Sequence, residues 1–246
     1  MFSIFKKKYI DIFCYTDNIN AYEYFPVQKA RNFLPRWWKD IPNEVHTDDC
    51  FFKTKSSLLR TMKRCPGIIE FYKKGLIIPL WTDIEFIINN DINEGCISSA
   101  ADGTELHSHP EFQKGAFLPE NMWIHKKIIS PWYFETKTNE DFLVLQPHWN
   151  LNNLNADIVI PNGYSNFYNR NSSTNVQVFA KKEINKVINL NAGLPIAHIV
   201  PLSDKQLRIH TSYDPDRIDL LNKKAAGYSF TSFYYRKKID GLHNNL

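Results

Sequence analysis

No Cys-x-x-Cys pair occurs in the 246 residues, nor any block of five like charges. Each absence excludes something. Four cysteines as widely spaced as Cys14, Cys50, Cys65 and Cys96 cannot make a zinc knuckle or a dense disulfide framework, and they fit reduced thiols in a cytosol. Nothing approaches the roughly 18 consecutive apolar residues of a membrane-spanning helix. The opening "MFSIFKKKYIDIF" places its basic residues after a short apolar start and offers no continuous apolar stretch, so no signal peptide is expected. Also missing are a G-x-S-x-G elbow, a P-loop and a G-x-G-x-x-G turn, and no cysteine sits in a nucleophile context. The chain is therefore expected not to be an enzyme of those classes.

Aromatic residues are plentiful: at 14% of the chain they suggest broad flat surfaces to bury, as in sheet packing, or an aromatic recognition face. The formal charge is +4, with basic residues in short clusters such as Lys6 to Lys8 and Arg236 to Lys238. A nucleic-acid or membrane patch needs such clusters to converge, so they read as solvated corners and nucleic acid is not expected as a partner.

The prolines and apolar runs divide the chain into three. Residues 1–74 read as an irregular arm with short helices, because Pro26, Pro35 and Pro42 each disfavour helix just before them. In "KSSLLRTMKRCPG" the spacing predicts a helix capped by Ser56 or Ser57 and stopped at Cys65-Pro66, followed by a short turn of helix ending at Gly75. Residues 75–212 carry nine short apolar runs bounded by Pro, Gly and Asn, the pattern of strands. Asn162-Gly163 reads as a two-residue hairpin turn, and Pro79 and Pro131 place their strands at edges or bulges. Without interleaved helices, these runs predict a mainly β fold, an antiparallel β-sandwich or jelly roll. Residues 213–246 predict a closing helix with Asp214 at its N-cap, Pro215 at its first position and Ile218, Leu221 and Ala225 on its buried stripe.

Two segments carry candidate chemistry. In "ELHSHPEF" an extended backbone puts His107 and His109 on one side, with Glu111 following on that side, and two His plus a carboxylate suit a non-haem iron site. The order of residues resembles a cupin motif, with Gly193, Pro195 and His198 as a second half. That resemblance implies iron or another first-row transition metal and an oxygenase or isomerase activity. The spacings depart from the cupin pattern and Pro110 interrupts the strand, so the competing reading is a polar loop with His198 as a hydrogen-bonded core residue. A carboxylate pair, Asp83 and Glu85, is the minimum for glycoside hydrolysis, but paired carboxylates are common on strand faces. The arm "NFLPRWWKD" mixes Arg31, Arg36 and Lys39 with Trp37 and Trp38, a composition suited to gripping a protein partner, the alternative being a covering arm whose tryptophans plug the core.

The ordered set "LPRWWKDIP", "TMKRCPGIIEF", "GLIIPLWTDIEF", "KIISPWYFETK", "DFLVLQP" and "AGLPIAHIVPL" resembles an uncharacterised family of tailed, especially marine, phages with distant bacterial relatives. The resemblance spans about Asn32 to Leu202 and carries no known activity. It implies a viral protein in the host cytoplasm or virion. On this basis we expect a non-enzymatic protein that acts through protein–protein contacts, with a virion or host protein or another copy of itself as partner.

Overall fold

A computed structural model describes residues 9–46, 58–88, 96–102, 106–108, 123–147, 157–168, 173–181 and 186–229. The chain opens with β1 (Tyr9–Thr16), α1 (Ile19–Glu23), β2 (Gln28–Lys29), α2 (Arg36–Asp40), β3 (Glu44–His46), β4 (Leu58–Arg60) and α3 (Pro66–Lys73). There follow β5 (Leu76–Pro79), β6 (Ile84–Ile88), β7 (Cys96–Ala100), β8 (Leu106–Ser108), β9 (Trp123–Thr136) and β10 (Asp141–Leu145). The remaining elements are β11 (Ile158–Val159), β12 (Gly163–Asn166), β13 (Ser173–Lys181), β14 (Lys186–Leu190), β15 (Pro195–Pro201), β16 (Gln206–Tyr213) and α4 (Pro215–Ser229).

The fold is mainly β, with two large sheets sharing one core. The first runs β11-β13-β9-β1-β16 with β8 also on β9, and the second runs β12-β10-β15-β5-β2. A smaller sheet, β14-β6-β7, adds Phe86, Ile88 and Ile188 to the same core. Strand alternation explains which side chains enter it: in β1, Ile10, Ile12 and Cys14 point inward and are fully buried, while Asp11, Phe13 and Tyr15 point out. From the facing sheet Leu76, Ile78, Phe142 and Ile199 meet Trp132, Phe134 and Val178 of the first. Burying each such side chain contributes roughly 1.5–3 kcal/mol.

β5 is buried at all four positions, so it must be covered on both faces. Its second face carries Ile77, which packs with Trp38, Ile68 and Tyr72 in a separate core beneath α2 and α3. Among the described residues a helical layer thus stacks on the second sheet, and α4 covers part of the first sheet's outward side, where Arg217 meets Glu135 and Asn222 meets Tyr133.

All nine apolar runs between residues 75 and 212 are strands, and both proline positions coincide with irregular pairing. Across Pro131 the partner residue shifts from Ser173 opposite Tyr133 to Asn175 opposite Ile129. At Pro79 the ladder with β15 shifts between Pro195 and Ala197.

Three readings change. Leu58–Arg60 is a strand paired with Glu44–His46, and helix begins at Pro66 instead of stopping there. The proline occupies the first helical turn, where its missing N–H costs nothing. Ser56 and Ser57 lie outside the described residues. Asn162-Gly163 does not close a hairpin: β11 pairs with β13 in the first sheet and β12 with β10 in the second, so the dipeptide carries the chain between sheets. Gly163 lacks the positive φ that a two-residue primed turn demands. The segment "YIDIFCYT", read as part of an arm, is β1, and its pairing with β16 is parallel.

α4 starts where Asp214 predicts. The Asp214 carboxylate accepts from the Arg217 N–H at 2.9 Å, and the Asp214 N–H donates to the Thr16 carbonyl at 2.9 Å. Ile218 and Leu221 are buried; Arg236 to Lys238 lie outside the described residues. Asp214→Ala is expected to lower stability by about 1 kcal/mol, as loss of an N-cap does, read as a lower urea midpoint with unchanged slope.

Candidate binding surfaces

His198 occupies β15 on the side that faces α3, between Leu145 of β10 and Ile77 of β5. Its ring is fully buried, with Phe71 edge-on at 4.5 Å and Tyr72 at 5.8 Å between centroids. Nε2 lies 3.1 Å from the Lys74 carbonyl, so it carries the proton and donates. Nδ1 is buried with no hydrogen-bond partner among the described residues. Burial pushes the imidazole pKa down to about 4, partly countered by the Lys74 carbonyl. His107 lies on β8, opposite Lys127 of the first sheet, whereas His198 belongs to the second. The side chain of His107, and His109 and Glu111 altogether, lie outside the described residues. Among the described residues no three His, Cys, Asp or Glu side chains gather as a metal would require.

The Trp-Arg arm divides. Trp38 is buried in the helical layer's core, so its indole holds that layer on β5 and is not offered to a partner. Trp37 meets Trp38 edge-on at 5.8 Å and is partly buried. Arg36 projects into solvent, its side chain 94% exposed, within 3.6 Å of Asp40 one turn on. Lys39 gives its carbonyl to the Lys63 ammonium at 2.6 Å, and Arg31 sits on the exposed side of the 3-10 turn Ala30–Phe33. The pattern mixed two roles, because tryptophans that plug a core and tryptophans that wait for a partner have the same composition.

Asp83 and Glu85 line one open cleft with Ser99, Asn189 and Asn191. Asp83 accepts from the Ala192 N–H at 2.7 Å, which ties it to the turn before β15.

Two other surfaces combine exposure with recognition chemistry. The first is the margin of β16, which pairs only with β1 among the described strands. Arg208 and His210 stand on its outward side, both bound to Asp11 at 3.0 and 2.9 Å. The His210 hydrogen bond is the main reason that the Asp11 carboxyl lies below its ordinary range. Phe13 stacks on His210 at 4.9 Å, and the Arg208 guanidinium lies 4.7 Å over Tyr9. At the strand's end Tyr213 meets Tyr22 of α1 at 6.4 Å, both exposed, and Ile19 shows its side chain one turn before Tyr22. On the inner side Leu207 is buried while Ile209 and Thr211 are only half-buried, as at a sheet margin.

The second surface is the outward face of β9 and β13. Register sets Val159, Phe179 and His125 in one row across β11, β13 and β9, with Gln177 and Lys127 in the next. The Phe179 and His125 rings stack at 4.5 Å and 4°. Neither surface is expected from the sequence, although the alternation in "QLRIHT" is a signal for the first.

Compared with protein-family models, with curated proteins and with solved structures, the chain matches none.

Proposed function

We propose that the chain is a non-enzymatic binding protein that works by protein–protein contact, taking an extended segment of its partner along the open margin of β16. The observation that carries this reading is an eight-residue strand that, among the described strands, has one neighbour, with an exposed tyrosine pair at its end. A margin strand presents a row of backbone donors and acceptors, and an incoming strand gains affinity from them and specificity from side-chain contacts. Tyrosine adds contact area at low entropic cost, and it is enriched among residues that dominate interfaces. Asp11 and Arg208 supply charges for register on the outward side of the strand, and His210 hydrogen-bonds Asp11 beside them. The resemblance to a phage family supplies the setting, a virion or host partner.

The test is capture of virion and host proteins by the immobilised chain, with hydrogen exchange to map the contact. Tyr22→Ala with Tyr213→Ala is expected to weaken capture at least about tenfold, and amides of β16 are expected to gain protection in the complex. A chain that stays monomeric, captures nothing and shows unaltered exchange along β16 would overturn the reading.

A further inference from the structure

We propose that the outward face of β9 and β13 binds single-stranded nucleic acid, a function separate from docking at β16. β13 carries no Asp or Glu, and the single carboxylate of β9, Glu135, stands near the far end of that strand and is held by Arg217 at 2.6 Å. Alternation sends Lys127 and Lys181 outward, on the same side as the Phe179–His125 stack. No carboxylate is paired with Lys127 among the described residues. Between the ring pair and the lysine stands Gln177, whose Oε1 lies 2.8 Å from His125 Nε2 and holds the imidazole upright. Val159, 41% exposed, borders Phe179 on the other side.

These groups sort by what a polynucleotide offers. Rings on a sheet face stack with bases irrespective of sequence, and lysines on the same face meet the phosphates. The Gln177 amide stands beside the rings, where a base edge would come. A duplex turns its bases inward and offers this face only phosphates, while an acidic peptide brings charge with no planar group. Charge complementarity with half-buried, stacked rings therefore favours the single strand over either.

The test is fluorescence anisotropy with labelled oligo-deoxythymidine, its duplex with oligo-deoxyadenosine, and polyglutamate, over a range of salt. The single strand is expected to bind more tightly than the duplex, with log affinity falling linearly in log salt. Phe179→Ala should weaken the single strand about tenfold and leave polyglutamate unchanged, since stacking one base contributes roughly 1–3 kcal/mol. Lys127→Glu should also cost about tenfold and flatten the salt slope. Arg36→Glu, the same charge change at a 94% exposed side chain on the helical layer, should stay within about twofold. Should Phe179→Ala fail to fold, the comparison of Lys127→Glu with Arg36→Glu decides, because both positions face solvent. Tyr213→Ala should leave nucleic-acid affinity intact, which separates this proposal from the docking margin. Absence of binding at low salt, equal affinity for duplex, or equal losses from Lys127→Glu and Arg36→Glu would each overturn it.

Discussion

Gly75→Ala is expected to destabilise the chain by about 4 kcal/mol or more, more than a methyl added at Gly67, Gly163 or Gly193. Gly75 sits between α3 and β5 with φ of +83°, in the left-handed region that a side chain enters only at a cost of about 1–2 kcal/mol. Strain alone would be tolerable. The added Cβ would also stand 2.3 Å from the Ile199 carbonyl oxygen and 3.0 Å from His198 Nε2. The first of these is backbone of the paired strand β15 and cannot swing aside. Relief requires β5 and β15 to separate where Leu76 opposes Ile199, or α3 to lift from the sheet. Either motion also disturbs the bond from the Ala30 N–H to the Gly75 carbonyl, 3.2 Å, which ties the helical layer down. Gly163 supplies the contrast, since its φ is not positive and nothing lies within 4 Å of an added Cβ. Gly163→Ala is expected to leave stability within about 1 kcal/mol of the parent, or to raise it slightly. Urea unfolding of the two variants side by side checks the pair; equal midpoints would show that the α3–β5 seam is softer than this geometry allows.

The same seam shows what was legible in the chain and what was not. Gly75 as a helix stop and "LIIPLW" as a strand are local signals, set by backbone freedom and by a run of apolar residues, and both are found as read. Alternation in "NVQVFA" and "QLRIHT" likewise announces one buried and one open face. Pairing partners are a different matter. Nothing near Asn162-Gly163 tells that the strands on either side join different sheets, because that depends on Gln146 some fifteen residues earlier. The buried Gln146 amide bonds the Ile158 carbonyl and accepts from the Ile160 N–H, tying the chain to β10 as it crosses over. β1 was obscured for a related reason. Its outward residues Tyr9, Phe13 and Tyr15 are aromatic, so its two sides differ little in hydropathy, and the lysines just before it resemble an arm. The candidate sites depended on convergence in space: Trp37 and Trp38 adjoin in sequence yet divide between margin and core, while Phe179 and His125 meet across strands from 54 residues apart.

Acid should weaken the fold through His198, and the direction follows from its surroundings. The neutral ring already donates from Nε2 to the Lys74 carbonyl; protonation adds a second N–H at Nδ1, which has no acceptor among the described residues and is shut away from water. The folded state therefore holds the imidazole pKa at about 4, against an ordinary 6.5 in the unfolded chain. A base with a depressed folded pKa binds fewer protons folded than unfolded throughout that interval, so stability is fully retained above pH 6.5 and is lost as pH falls toward 4. At about 1.4 kcal/mol per pH unit the interval accounts for about 3 kcal/mol. Below pH 4 both states carry the proton and this contribution stops changing. His198→Gln, which retains a donor for Lys74 and does not titrate, is expected to lose about 3 kcal/mol less than the parent between pH 7 and pH 4. Parallel urea titrations at several pH values measure the difference. Curves that fall together would mean that the imidazole finds an acceptor or water when charged, and that the layer of α3 over β15 opens more readily than its packing implies.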